Sequence, residues 1–266
     1  MRRRLPVVLV VLASALIGGC GGTSDADRVR AYFDDVDDVY QSAGPQFRTA
    51  NDTYKKFSEG TLKGSSAEFE LRRAELGIED ARQRIATLEP PVPARRLHTL
   101  VLRAYQLNVL MAAETRQLAF FVPRAERIVT RLNSARRELR KDLGVSGGLE
   151  RQTRALRAYA RRVGGLRDEL TRLRPPPALA AAKETQLRLL TNTRSLTLRL
   201  IRAIAAQDKP AITSLLDRFS AAGDPEPDRA RWQTGAIRAY RQRIVEIDRA
   251  SAAATAERAR VVRAVS

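Results

Sequence analysis

VRAYFDDVDDVYQSAGPQFRTANDTYKKF, residues 29–57, decides the fold. Apolar side chains recur in it at alternating spacings of four and three residues: Val29, Phe33, Val36, Tyr40, Ala43, Phe47, Ala50, Tyr54 and Phe57. That is a heptad-like seam, the pattern of an α-helix laid against other helices. Gly44-Pro45 lies inside it. A proline within a helix removes one backbone donor and crowds the preceding turn, so a kink or short break is expected there. The register survives the interruption, so both halves are expected to pack on the same neighbour.

Working outward, Gly60 to Ser66 is turn chemistry, and a second helix is expected over 67–88 with Leu71, Ala74, Ile78, Ala81, Ile85 and Leu88 on one face. Pro90-Pro91-Val92-Pro93 stops it. A third helix begins after Pro93 and carries Leu97, Leu100, Ala104, Leu107, Met111, Leu118 and Phe121 on a stripe wide enough for an interior position. Pro123 is read as opening a fourth helix through Leu143, because proline is tolerated in a first turn. Further helices are expected over 149–173, 178–206, 209–221 and 228–262, the last using Trp232, Ile237, Tyr240, Ile244 and Ile247. Aromatic residues at 5% argue against an all-β fold, whereas Ala, Leu, Arg and Glu favour helix. The expected fold is all-α: an elongated up-and-down bundle of about eight helices, or two bundles sharing long helices.

Leu88-Glu89-Pro90-Pro91 and Leu173-Arg174-Pro175-Pro176 stand 85 residues apart, and the preceding helices align apolar to apolar. Leu71 falls on Leu156, Ile78 on Val163, Ala81 on Leu166 and Ile85 on Leu170. After the prolines each copy proceeds to a proline-opened helix, at Pro123 and Pro210. A duplicated three-helix unit, approximately 67–144 and 149–222, is one reading; two generic helical hairpins with similar punctuation are the other.

The N-terminal residues carry an address. Arg2, Arg3 and Arg4 precede an apolar stretch from Leu5 to Ile17, and Ile17-Gly18-Gly19-Cys20 ends it in small residues and a cysteine. The apolar stretch is too short to span a bilayer, which takes about 20 residues. Cys20 is the only cysteine, which excludes an intramolecular disulfide and a multi-thiolate metal site. These residues resemble a bacterial lipobox. The resemblance implies cleavage before Cys20, a diacylglyceryl group on its sulfur, and two or three acyl chains holding the mature N-terminus in a membrane. Residues 1–19 would be signal peptide, 20–24 a lipidated flexible tether and 25–266 the helical domain, at the cell membrane on its extracytoplasmic face. Leu88, Pro90, Pro91 and His98 further resemble a group of all-helical lipoproteins of high-GC actinobacteria, in which a Leu-x-Pro-Pro turn precedes a helix with an early histidine. That likeness implies location and fold only.

Lys and Arg number 48 against 30 Asp and Glu, a net charge of +18. Removing residues 1–19 takes three arginines away and leaves +15. Only six of the basic residues are lysines. An arginine surplus of this kind follows either from GC-rich coding or from a preference for anionic surroundings. Nucleic acid is not expected as a partner of an exported, tethered chain.

Chemistry is scarce. His98 is the only histidine, without the Glu-x-x-His spacing of helical metal sites, and is expected to cap its helix or face water. Asp25, Asp27, Asp34, Asp35, Asp37 and Asp38 make the first helix begin acidic. They complement its dipole, hold off anionic headgroups, bind a cation weakly, or dock arginines of another helix. No Gly-x-Ser-x-Gly, phosphate-cradling loop or Cys-His pair occurs, so no catalysis, cofactor or metal is expected. The remaining lead is arginine on the fifth and last helices. Arg154, Arg157 and Arg161 share one helix face and suit phosphate or carboxylate; a solvated surface is the plain alternative. The function expected is therefore lipid-anchored binding or scaffolding toward an anionic envelope polymer, lipid or protein. The alternative is a sensory bundle holding a small molecule between helices.

Overall fold

Ser24 starts the first helix. Its hydroxyl accepts the Asp27 backbone N–H at 3.1 Å, and the Asp27 carboxylate accepts the Ser24 N–H at 3.3 Å, a reciprocal capping box. The Ser24 hydroxyl also donates to Asp27 Oδ2 at 2.7 Å, and this bond, with that from the Ser24 N–H, holds the Asp27 carboxyl below its ordinary value. The computed structural model describes residues 24–144, 148–221 and 229–266. Over them run α1 (Asp25–Ser58), α2 (Gly64–Thr87), α3 (Arg95–Gly144), α4 (Leu149–Arg172), α5 (Ala180–Ala205), α6 (Lys209–Ala221) and α7 (Arg229–Val265). Short 3-10 turns, Val92–Ala94 and Pro177–Leu179, precede α3 and α5. The fold is all-α, with seven α-helices among the described residues rather than about eight. The expected breaks around Gly144–Gly148 and Gly223–Pro227, and the side chain of Trp232, fall largely outside the described residues.

The count differs because Pro123 does not start a helix of its own, and the break expected at Pro45 is also absent. In α1, Pro45 sits on the exposed face, where the carbonyl deprived of its donor can turn to water, and the helix continues unbroken. In α3, Pro123 does not open a new helix; it lies inside one of 50 residues. An interior proline costs about 3 kcal/mol in a helix, and the surroundings offset it. Arg124 donates from Nη1 to the Phe120 carbonyl at 2.8 Å, and its guanidinium lies 3.5 Å over the Phe120 ring. Glu68 of α2 stands 3.7 Å from the same guanidinium. Gly64, at the start of α2, presses on this turn so closely that a Cβ there would fall 2.7 Å from Pro123 Cγ and 2.8 Å from the Ala119 oxygen. Buried Leu118, Phe121 and Ala125 bracket the proline and pack with Leu179.

Two cores form along the common helix. In the first, α1, α2, the front half of α3 and the end of α7 enclose Val29, Phe33, Leu71, Ile78, Ile85, Leu97, Tyr105 and Val261. Cross-contacts fix the directions: Tyr32 meets His98 and Phe47 meets Tyr105, so α1 and α3 run parallel. Glu75 meets Arg116, and Glu114 and Asp37 meet Arg243 and Arg258, so α2 and α7 run against them. This is an up-and-down four-helix bundle. In the second core, the rear half of α3 packs with α4, α5 and the short α6 around Ile128, Leu132, Leu156, Val163, Leu170, Leu190, Leu200 and Leu215.

The seam of residues 29–57 holds with one shift. Tyr40 is 53% exposed, and Tyr32, Val39 and Thr53 are buried instead. A seven-residue spacing drifts about 20° per heptad on a straight helix, which moves the buried face by a residue.

The hairpins coincide at the 85-residue offset. α2 shifted by 85 gives the bounds of α4, Val92–Ala94 gives Pro177–Leu179, and α3 and α5 begin at the same place. Both first helices end on an extended leucine, Leu88 (φ −70°, ψ 140°) and Leu173 (φ −73°, ψ 127°). The third members differ: residues after Pro123 continue α3, whereas α6 is separate, its N-terminus capped by Asp208 Oδ1 on the Ala211 N–H at 3.0 Å.

Two glycines test the proline joint. Gly64→Ala should lose roughly 1–3 kcal/mol in urea unfolding, because backbone and ring must move. Gly165→Ala, in the middle of α4 with open space around its Cα, should gain about 0.5–1 kcal/mol. Two gains of equal size would contradict the close approach.

Candidate functional site

Turns two to four of α4 expose arginine on the side away from the second core, while Leu156, Tyr159, Ala160 and Val163 face inward. Arg154, Arg157 and Arg161 are all exposed, and no described carboxylate pairs with any of them. Arg194 of α5, which the sequence did not single out, joins them. Arg157, Ala160 and Arg161 of α4 and Arg194 and Leu198 of α5 bound a shallow hollow of about 220 Å³. Gly164 explains how Arg194 reaches it: a Cβ at 164 would lie 3.2 Å from Arg194 Nε, so the guanidinium stem runs close along the α4 backbone. The signal available in sequence was this glycine pair, Gly164-Gly165, inside a helix that otherwise favours helix formers.

The other hairpin is built differently at the matching places. Ala160 corresponds to Glu75, which accepts from Arg116 Nε at 2.6 Å, and Arg161 corresponds to Leu76. Residues 64–136 hold twelve basic and eight acidic side chains; 149–221 hold fifteen and six. Several arginines of the first bundle tie its helices or turns together, Arg82 with Glu79 at 2.7 Å, Arg243 with Glu114 at 2.7 Å and Arg258 with Asp37 at 2.6 Å. On α4, Arg162 pairs with Glu138 and Arg167 with Asp168.

The acidic start of α1 has an internal use. Asp37 receives both terminal nitrogens of Arg258 at 2.6 Å, and that guanidinium also stands 4.6 Å over the Phe33 ring. The pair clamps α7 to α1. Asp25 and Asp27 pair locally with Arg28 and Arg30. Among the described residues no group of three or more His, Cys, Asp or Glu is placed to hold a metal ion.

His98 is half-buried and its ring turns one nitrogen to α1. Its Nδ1 lies 3.1 Å from the Tyr32 hydroxyl, which donates to it when the imidazole carries its proton on Nε2. Burial pushes His98 below its ordinary value and Tyr32 up to about 12. The counterpart Lys183 does different work: its Nζ donates to the Thr171 and Leu173 carbonyls at 3.0 and 2.8 Å, capping the end of α4.

A second hollow, about 190 Å³, lies where α7 crosses the Pro177–Leu179 turn. Met111, Leu118, Pro177 and Tyr240 give it apolar walls, and Glu114 and Arg243 a charged edge. Tyr240 stacks on Tyr54 with ring centroids 3.6 Å apart, and burial raises its phenol to about 12.

Sequence reasoning also missed Arg136, which is 6% exposed inside the second core and donates from Nε to the Tyr159 hydroxyl at 3.2 Å. Cys20 lies outside the described residues. Among the described residues no helix is long and apolar enough to cross a membrane. No protein-family model matches the chain, and searches of curated proteins and of solved structures return no match.

The histidine gives a pH signature. A folded value below the unfolded one means that the unfolded chain binds the extra proton, so stability falls as pH drops below about 6.5. Urea unfolding at pH 7.5 and 5.5 should show this loss in the native chain and its absence in His98→Gln. Equal losses would refute it, since the lowered carboxylates Asp27, Glu79 and Glu257 act only at more acid pH.

Proposed function

We propose that the protein is a lipid-anchored, non-catalytic binding or scaffolding protein of the cell envelope, tethered through Cys20 at the extracytoplasmic face of the cytoplasmic membrane. One observation carries the binding part: Arg157, Arg161 and Arg194 converge on one hollow, with Arg154 one turn away, and none of the four has a described carboxylate partner. Guanidinium groups left in that state favour an external anion, with which they form bidentate, charge-assisted bonds. The anchor rests on the lipobox-like Ile17-Gly18-Gly19-Cys20, and two or more acyl chains suffice for stable attachment where one does not.

A second reading is supported by the hollow at the α7 crossing. Apolar walls beside a charged edge suit a small amphiphilic molecule, and such a ligand would bridge the two bundles. Saturable thermal stabilisation by a small molecule, lost on filling the hollow with Met111→Trp, would favour it.

Two measurements test the main reading. Cell fractionation should place the native chain in the membrane pellet and Cys20→Ser in the soluble fraction. Chain lacking lipid should bind anionic envelope polymer or vesicles at low salt and release them as ionic strength rises toward 0.5 M. A Cys20→Ser protein that stays with the membrane removes the anchor, and absence of binding at low salt removes the electrostatic contact.

A further inference from the structure

The hollow between α4 and α5 is more than a basic surface. It gathers Arg157 and Arg161 from one helix and Arg194 from the other over a floor of Ala160, with Leu198 at its rim. Like charges brought together without a counter-charge are unfavourable unless an anion sits among them. A planar carboxylate is satisfied by one guanidinium fork, whereas a tetrahedral phosphate has oxygens for forks arriving from two sides. Arg154 continues the row one turn back along α4, at the roughly 6 Å spacing of same-face helical neighbours. A row suits a repeating chain better than a single ion.

Position separates a polymer from the bilayer. Tyr32 bonds His98 near the start of α3, which marks the level of the anchored end. Arg162, next to Arg161, pairs with Glu138 forty residues further along the same helix. At 1.5 Å per residue that is about 60 Å of helix. Charge is polarised the same way: Asp25 to Asp38 sit at the anchored end, and the most basic hairpin sits at the far end. No aromatic side chain bounds the hollow, so it lacks the groups that insert among headgroups.

We infer that the α4–α5 hollow binds phosphate groups of an anionic polymer held away from the membrane in which the protein is anchored. The inference rests on the anchored-binding reading above and names its ligand class and its place.

The test uses full-length lipidated protein reconstituted in neutral phosphatidylcholine vesicles, titrated with fluorescein-labelled sodium polyphosphate. Arg157→Gln/Arg161→Gln/Arg194→Gln should weaken binding at least tenfold. Arg48→Gln/Arg72→Gln/Arg73→Gln removes the same charge from exposed positions of the first bundle and should weaken it less than threefold. Circular dichroism confirms that each variant keeps its helix, and Arg-to-Lys replacement at the three hollow positions, which keeps the charge, should still lose several-fold. Equal losses in both triple variants overturn the site, as does equal affinity for polyglutamate. Vesicles containing anionic lipid that bind the Cys20→Ser chain as tightly as polyphosphate, through the same three arginines, overturn the polymer in favour of the membrane. The Cys20→Ser chain also separates the two readings: polyphosphate binding that persists there belongs to the hollow whether or not Cys20 is acylated.

Discussion

Continuity of α3 through Pro123 is the constraint on which the rest of the structure depends. Both cores are built on this helix, its front half inside the first bundle and its rear half inside the second. The proline withdraws a donor from the turn where the cores meet, and three neighbours make the loss tolerable. The carbonyl left without its donor is Ala119, on which Gly64 lets α2 close; Arg124 binds the adjacent Phe120 carbonyl and covers its ring, and Phe121 is fully buried beside them. With them, one stiff element fixes where each bundle's partners stand.

The two bundles then differ in how they are finished. α7 closes the first with 37 residues and pins itself by Arg243 to Glu114 and Arg258 to Asp37. Only the 13 residues of α6 follow α5 in the second. The first bundle uses several charges in cross-helix pairs; in the second, where Ala160 and Arg161 stand in place of Glu75 and Leu76, the positive surplus is larger and three arginines meet in one hollow. That difference is the physical basis for placing function on α4 and α5.

The fold was legible where periodicity speaks for burial. Leu71, Ile78 and Ile85 and their counterparts Leu156, Val163 and Leu170 face the core as their spacing implies, and the Leu-x-Pro-Pro turns end α2 and α4 at the expected leucines. Pro123 was misread because a proline's local rule is the same at a first turn and at a packed interior. Only the tertiary neighbours Gly64 and Arg124 distinguish the two. The partner of His98 was not legible because Tyr32 is 66 residues away and lies off the seam read in α1. At the candidate site the row Arg154, Arg157 and Arg161 was visible from helical spacing. Arg194 was not, because its approach depends on how α5 lies against Gly164, which no single-helix pattern encodes.

The most direct measurement of the account is the length of α3. Nitroxides at Thr99→Cys and Lys141→Cys, both exposed, in a Cys20→Ser chain should give a double electron–electron resonance distance centred at about 60 Å, the length of 42 helical residues. A distribution centred below about 45 Å, as expected of two helices meeting at Pro123 at a right angle, would contradict it.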